Sequence, residues 1–320
     1  MSPPVRVAVA TLACLCALFA LWVRAENAIG VTYDVPAAAG TGGEPERTWG
    51  SYDPDTLYHV RRVARGVEHD GWVASHDLRL DHPHEPGSLG TAIPWPPTYD
   101  LLLTALARRA GPDFDALFVD SEGTTVDAAL PTAERARIER LVATVPMVCG
   151  TLAALLAALF GAGLAHRLAP EDRRGLAACA AAVVCGLTVA ATFGHTRYSH
   201  LGNGDHHAFV SLLHLVLLGL TGSALCREHI VQPVRSAVRG GLAGVVAGLL
   251  VTSWTASILW VALVQAALVL RLALPFPDVE GGSGRANARG LPLFATSFHK
   301  TALLVLVPAV IESPFSSTTP

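Results

Sequence analysis

Charged residues are scarce in this chain, making up only 15% of 320 residues, where a soluble domain carries about 25%. A basic excess is also missing: the net charge is −3, so nothing in the composition points to a nucleic-acid partner. None of the six cysteines (Cys14, Cys16, Cys149, Cys179, Cys185, Cys226) lies in the large polar segment, which excludes a disulfide framework or a zinc-binding spacing there. All six sit in or at the ends of apolar runs, where a free thiol behaves as a small apolar side chain. No internal repeat occurs, so a solenoid or tandem array is excluded.

The chain has instead a hydrophobic content of 51% and a mean hydropathy of +0.43. That content is concentrated in runs of about the length needed to cross roughly 30 Å of hydrocarbon. The first, Val7–Val23, follows Arg6 and reads as a retained anchor; Val23-Arg24-Ala25 also allows a cleaved signal peptide. Further spans are expected near 139–165, 172–193, 206–226, 240–254, 256–273 and 298–311. At 240–273 two tight helices and one interrupted helix, broken at Trp254, both fit. The expected architecture is all-α and polytopic: a first span over 1–24, a polar loop over 25–138 and a bundle of about six helices over 139–320. In the polar loop, Leu57, Val60, Val63, Ala64 and Val67 share one helical face, and Asp100–Arg109 is similarly amphipathic. Such helices suit either a membrane surface or a small external loop domain.

Arginine and lysine gather in 166–174 (Arg167, Arg173, Arg174), 226–239 (Arg227, Arg235, Arg239) and 275–300 (Arg285, Arg289, Lys300). The positive-inside rule makes those segments cytoplasmic. The polar loop, the short loop 194–205 and the residues after Ile311 then fall on the outer face of a plasma or inner membrane. Residues 280–284 read as a flexible linker.

Three acidic sites share that outer side. Asp55 lies in Asp53-Pro54-Asp55-Thr56-Leu57-Tyr58-His59-Val60-Arg61, Asp205 in Gly204-Asp205-His206-His207 at the mouth of a span, and Glu312 just beyond the last span. Carboxylate and imidazole ligands suit divalent ions such as Mg²⁺ or Mn²⁺. An isolated Asp205 after a Gly-Asn-Gly turn also suits a helix N-cap.

Taken together, these motifs resemble those of oligosaccharyltransferase catalytic subunits, the archaeal ones above all. Asp55-Thr-Leu-Tyr-His-Val-Arg61 resembles the Asp-Pro-Trp-Tyr-His-Tyr-Arg motif of that family's first external loop, and the His-x-Arg register selects Asp55 over Asp53. Gly204-Asp205-His206-His207 is similar to its second, Asp-x-His/Asp motif. Arg197 resembles a basic residue preceding that motif, at a slightly longer spacing. Ala243–Trp260, with Ser253-Trp254, is similar to the Gly/Trp-containing hairpin that follows. The family's later spans and its Trp-Trp-Asp acceptor motif have no counterpart here.

The resemblance implies a GT-C helix bundle and a membrane glycosyltransferase active in protein glycosylation. Its donor would be a sugar or oligosaccharide on a polyprenyl phosphate or diphosphate, and its acceptor a protein or glycan. It implies Asp55, Asp205 and His207 as ligands of Mg²⁺ or Mn²⁺, and Asp55, Asp205 and Glu312 as catalytic acids. His59, Arg61, Arg197 and Trp254 are the expected substrate-binding residues. The alternatives are a metal-independent GT-C transferase using a lipid monophosphate sugar, and a non-catalytic truncated homologue serving as a membrane scaffold. Paired interrupted helices, expected of many transporters, are not evident. The orientation is checked in intact cells with a membrane-impermeant thiol reagent, in a background lacking the native cysteines. Leu80→Cys should label and Asp172→Cys should not; the reverse pattern would invert the topology.

Overall fold

The computed structural model describes residues 1–26, 31–35, 46–50, 53–68, 71, 73, 76–77, 91–93, 96–109, 132–225, 233–273 and 284–311. Glu312 and Cys226 lie outside them, as does most of the expected 280–284 linker. Two compact units are present, Met1–Ala74 with Tyr99–Leu212 and Ser75–Thr98 with Leu213–Pro320.

In the first unit, α1 (Pro3–Glu26) is the apolar N-terminal helix. The polar loop supplies a hairpin of β1 (Val31–Val35) and β2 (Glu46–Gly50), paired antiparallel from Val31↔Gly50 to Val35↔Glu46. It also supplies α2 (Pro54–Glu68). A two-residue pairing of β3 (His76–Asp77) with β4 (Thr91–Ala92) falls in the second unit. Then come α3 (Thr98–Arg109), α4 (Thr132–Leu168), α5 (Arg174–Ala191), the short α6 (Phe193–Arg197) and α7 (His207–Leu225), whose residues up to Leu212 belong to the first unit and the rest to the second. The remaining helices, in the second unit, are α8 (Pro233–Ser253), α9 (Ile258–Ala273) and α10 (Gly284–Ile311). The strands were not expected: Val31, Tyr33 and Val35 alternate with Thr32 and Asp34, but β2 and the two-residue β3 and β4 show no such alternation.

Among the described residues, five helical segments are long and apolar enough to cross a membrane: Pro3–Glu26, Arg137–Leu168, Glu171–Ala191, Val234–Ser253 and Thr255–Ala273. The chain is an integral membrane protein of the all-α class, and His207–Gly222 and Leu291–Leu306 are shorter apolar helices. Trp254 separates two helices, with a short 3-10 turn over Thr255–Ser257, which selects two tight helices over one broken one. Arg235 and Arg239 lie on α8, and Arg285, Arg289 and Lys300 on α10, rather than in loops. The helices start earlier than hydropathy alone indicates, because a helix can extend its first turns into the polar interface.

The membrane part of the first unit closes through small residues. Val9 and Ala13 of α1 meet Ala158 and Ala162 of α4 and Ala178 and Ala182 of α5 in one buried cluster. Such residues allow close helix approach where lipid offers no hydrophobic drive between helices. Cys16 and Cys149 are buried as expected, but Cys14 is exposed.

The polar-loop helices form a second core. Val60, Val63 and Ala64 of α2 pack with Tyr99, Leu103 and Ala107 of α3 and Ile138 and Val142 of α4, and Phe209 of α7 lies against them. The spacings 60/63/64 and 99/103/107 each make one helical face. Burying each larger side chain contributes about 1.5–3 kcal/mol, enough to hold two helices that are themselves too short to be stable alone.

In the second unit, Gly240, Gly244 and Gly248 line one face of α8. A Cβ on Gly240 would collide with the Phe294 carbonyl, one on Gly244 with the Phe298 carbonyl, and one on Gly248 with Val305 at 2.5 Å. Phe294 and Phe298 are fully buried in this seam. Gly244→Ile should therefore separate α8 from α10 and cost about 1–3 kcal/mol of overpacking. The readout is a lower unfolding midpoint in detergent; an unchanged midpoint would contradict the seam.

Candidate functional site

The site grows from the N-terminus of α2. Asp53 caps that helix: its Oδ2 accepts hydrogen bonds from the Thr56 backbone N–H and from Thr56 Oγ1, both at 2.8 Å. An acceptor there satisfies donors that the first helical turn leaves unpaired. Asp53 is thereby engaged as a cap, and Asp55 stands exposed in the first turn.

Thr56 joins this turn to the loop before α7. The Gly204 backbone N–H donates to Thr56 Oγ1 at 2.6 Å, and Tyr99 Oη donates to the Gly204 carbonyl at 3.0 Å. The Gly204 residue is thus held through both its backbone polar groups. A Cβ at Gly204 would lie 2.6 Å from both Thr56 Cγ2 and Val142 Cγ1, so only glycine fits without a shift. On the far side, Asn203 Oδ1 accepts from the Asp205 N–H at 3.0 Å. Leu201 N–H donates to the Arg24 carbonyl at 3.1 Å, and Gly202 N–H to the Ala143 carbonyl at 3.2 Å. The loop carrying Asp205 is therefore anchored to α1, α2, α3 and α4.

Asp205 is buried at 4% exposure, and both its oxygens face imidazoles. Oδ1 lies 2.7 Å from His206 Nδ1, and Oδ2 lies 3.6 Å from His207 Nε2. The rings of His206 and His207 are 4.6 Å apart, and His59 and His206 meet edge-on at 5.8 Å. Burial pushes the Asp205 carboxyl up, but the three histidines outweigh it and hold it below the ordinary range. Asp55 goes the other way. Partial burial, then the charges of Asp205 and Asp53, raise its carboxyl, against weaker pulls from His59 and His206.

His59, Asp205 and His206 each offer one ligand atom, and these atoms all lie within 4.8 Å of one another. Both ring nitrogens of His206 are buried without an aligned hydrogen bond, although Nδ1 is only 2.7 Å from Asp205. A buried carboxylate flanked by two imidazoles offers oxygen and nitrogen donors together, so the residues present fit a divalent ion.

Of the residues expected from sequence, Asp55, His59, Asp205 and His207 thus gather in one place. Arg61 stays on α2, its guanidinium 5.0 Å from the Tyr58 ring centroid. Arg197 is exposed at the end of α6, and its carbonyl accepts from Asn203 Nδ2 at 3.2 Å. Trp254 belongs to the other unit, and Glu312 is outside the described residues. His206, Thr56 and Tyr99 are contributors that the sequence reading did not single out. His206 had a visible signal in its place beside Asp205, whereas the others reveal themselves only through contacts distant in sequence.

No protein-family model and no curated protein matches this chain. Solved structures do. One is the archaeal oligosaccharyltransferase AglB from Archaeoglobus fulgidus in complex with an inhibitory peptide and a dolichol-phosphate, with a TM-score of 0.62 and 18% identity over 93% of this chain and 29% of that one. Another is the Archaeoglobus fulgidus oligosaccharyltransferase in complex with Zn and sulfate, with the same TM-score and identity, covering 93% of this chain and 31% of that one. The likeness is one of fold, the GT-C type of membrane helix bundle, and the chain spans about three tenths of the length of the structures it matches.

The opposite shifts of the two acids yield a test. Asp55 has a raised carboxyl, so its charge destabilises the folded state above the folded pKa, and the penalty disappears below the unfolded one, about 3.9. Asp55→Asn should raise the unfolding midpoint of the metal-free protein at pH 7. The advantage should fade toward pH 4, where wild-type Asp55 is itself neutralised. A midpoint that does not rise at pH 7 would separate Asp55 from Asp205 electrostatically.

Proposed function

We propose that this chain is the membrane part of a glycosyltransferase that moves a sugar or oligosaccharide from a polyprenyl phosphate or diphosphate to a protein or glycan acceptor on the outer face of the membrane. The observation that carries the reading is the gathering of Asp55 and His59 from α2 with Asp205, His206 and His207 at the start of α7, around a buried carboxylate. The oligosaccharyltransferase fold supports it. So does one similar structure, which holds a dolichol-phosphate and an inhibitory peptide.

In this reading Asp55, Asp205 and His207 hold a divalent ion, with His59 and His206 at hand to share it. The donor set mixes carboxylate with imidazole, which suits Mn²⁺ better than Mg²⁺. When bound, such an ion supplies charge neutralisation at the departing phosphate oxygens, as a Lewis acid does. The acceptor nucleophile forms a bond to the anomeric carbon. The bond from that carbon to the lipid phosphate oxygen breaks, and the electron pair leaves with the polyprenyl phosphate. The acceptor proton passes to a carboxylate, and we assign that role to Asp55, which is exposed and has a raised carboxyl. Arg61 and Arg197 are assigned as fixed cations for the phosphate. Trp254 is assigned to substrate contact and Glu312 to the catalytic acids.

Asp205→Ala should lower glycan transfer by roughly 10²–10³-fold while the protein still inserts and accumulates. His207→Ala should cost less, because water can replace a neutral ligand. A chelator should reproduce the Asp205 loss, and added Mn²⁺ should reverse the chelator. Full transfer by Asp205→Ala would remove the site. Transfer that needs Asp55 yet ignores the chelator would establish the metal-independent transferase instead.

A further inference from the structure

Asp100 takes no part in the assignment above, and no motif in the sequence marks it. It is fully buried in the first turn of α3. Its Oδ1 lies 2.6 Å from His59 Nδ1, and its Oδ2 lies 2.5 Å from Arg62 Nη1. Both partners come from one face of α2, three residues apart, where side chains are neighbours. Both are themselves buried, His59 at 2% and Arg62 at 4% exposure. The fold has thus enclosed a carboxylate, a guanidinium and an imidazole together, a costly arrangement that a few apolar side chains would replace at little loss of stability.

The chemistry of the three groups decides where the His59 proton sits. Arg62 offers only donors, so the carboxylate beside it accepts on its oxygens. His59 Nδ1 must then be the N–H that donates to Oδ1. In a neutral imidazole the other nitrogen, Nε2, keeps its lone pair. Tyr99 packs edge-on against the same ring at 5.1 Å, which limits its rotation. His59 is also one of the three residues whose ligand atoms converge with those of Asp205 and His206.

We propose that Asp100, held by Arg62, is a positioning residue that fixes His59 in its Nδ1–H tautomer and presents the Nε2 lone pair to the seat formed with Asp205 and His206. The inference rests on the reading of that seat as a divalent-ion site. A carboxylate on the far nitrogen of a ligating imidazole fixes the ring and raises its basicity, and losing it typically weakens ion affinity about 10–100-fold. Asp100 thereby acts on the seat through His59 without touching it.

The test uses the purified full chain in detergent. Mn²⁺ binding is read from the electron paramagnetic resonance of the free ion. The His59 tautomer is read from nitrogen chemical shifts after selective histidine labelling, assigned with His59→Gln. Wild type should bind Mn²⁺ saturably, Asp205→Asn should lose that binding, and wild-type His59 should carry its proton on Nδ1. Asp100→Asn should bind Mn²⁺ about 10–100-fold more weakly, with a mixed His59 tautomer. Arg62→Lys, which keeps a donor-only cation, should retain both the tautomer and most of the affinity. If Asp100 only joined α3 to α2, Asp100→Asn would lower the unfolding midpoint while Mn²⁺ affinity stayed at the wild-type value, and the proposal would be overturned. Should Asp100→Asn fail to fold, the wild-type tautomer decides, and a proton on Nε2 overturns the proposal. A wild type that does not bind Mn²⁺, or an Asp205→Asn variant that binds it equally well, would instead remove the seat itself and the proposal with it.

Discussion

The guanidinium of Arg24 closes one end of the first unit. It is completely buried, and among the described residues it has no carboxylate partner. Its Nε donates to Ser199 Oγ at 2.7 Å, Nη1 to the carbonyls of Ala20 and Ala190, and Nη2 to the Val189 carbonyl and to His195 Nδ1 at 2.8 Å. Val189 and Ala190 end α5, where unpaired carbonyls and the helix dipole favour a cation. Burial, reinforced by Arg24, holds His195 down at about 4, so its ring is neutral and can accept. One side chain thereby joins α1 to the end of α5, to α6 and to the segment leading into Asp205. Gly150 on α4 makes room for it, since a Cβ there would collide with the guanidinium.

The acids depend on that closure. A carboxylate at the edge of hydrocarbon is costly unless compensated, and Asp205 is compensated by imidazoles rather than by arginine or lysine. Imidazoles leave the cluster with modest positive charge and several lone pairs, which admits a cation. A guanidinium on Asp205 would satisfy the carboxylate and exclude one. The Arg62–Asp100 pair shows the other solution a few residues away, where arginine neutralises a carboxylate that lies behind the ring of His59. The same short helix therefore carries both kinds of compensation, and their separation keeps the front of His59 open.

The core of the polar-loop helices and the site share the same parts. Val60, Val63 and Ala64 face Leu103 and Ala107, while Thr56, His59 and Arg62 continue that face toward Gly204 and Asp100. The apolar packing sets the distance between α2 and α3, and the polar contacts use that distance. A change in the core would be felt at the Asp205 cluster because the interior is too densely packed to absorb it.

Composition and hydropathy sufficed for the all-α membrane class, for nearly every long helix and for the apolar faces of α2 and α3, because these follow from local periodicity and from the thickness of hydrocarbon. The motifs around Asp55 and Asp205 were also legible, since each is a run of adjacent residues. The β hairpins were not, because of the paired segments only Val31–Val35 alternates, and its partner strand carries no such pattern. Nor were the roles of Arg24, Thr56, Tyr99 and Asp100, whose partners lie 38–175 positions away. The register between Asp53 and Asp55 was read from a motif, whereas the reason Asp53 is occupied, its bonds to Thr56, is a matter of helix geometry. Sequence by itself determined which residue types gather in the segments between the apolar helices. Tertiary structure alone decided which oxygen faces which nitrogen, because that choice depends on angles and distances set by packing between helices far apart in the chain.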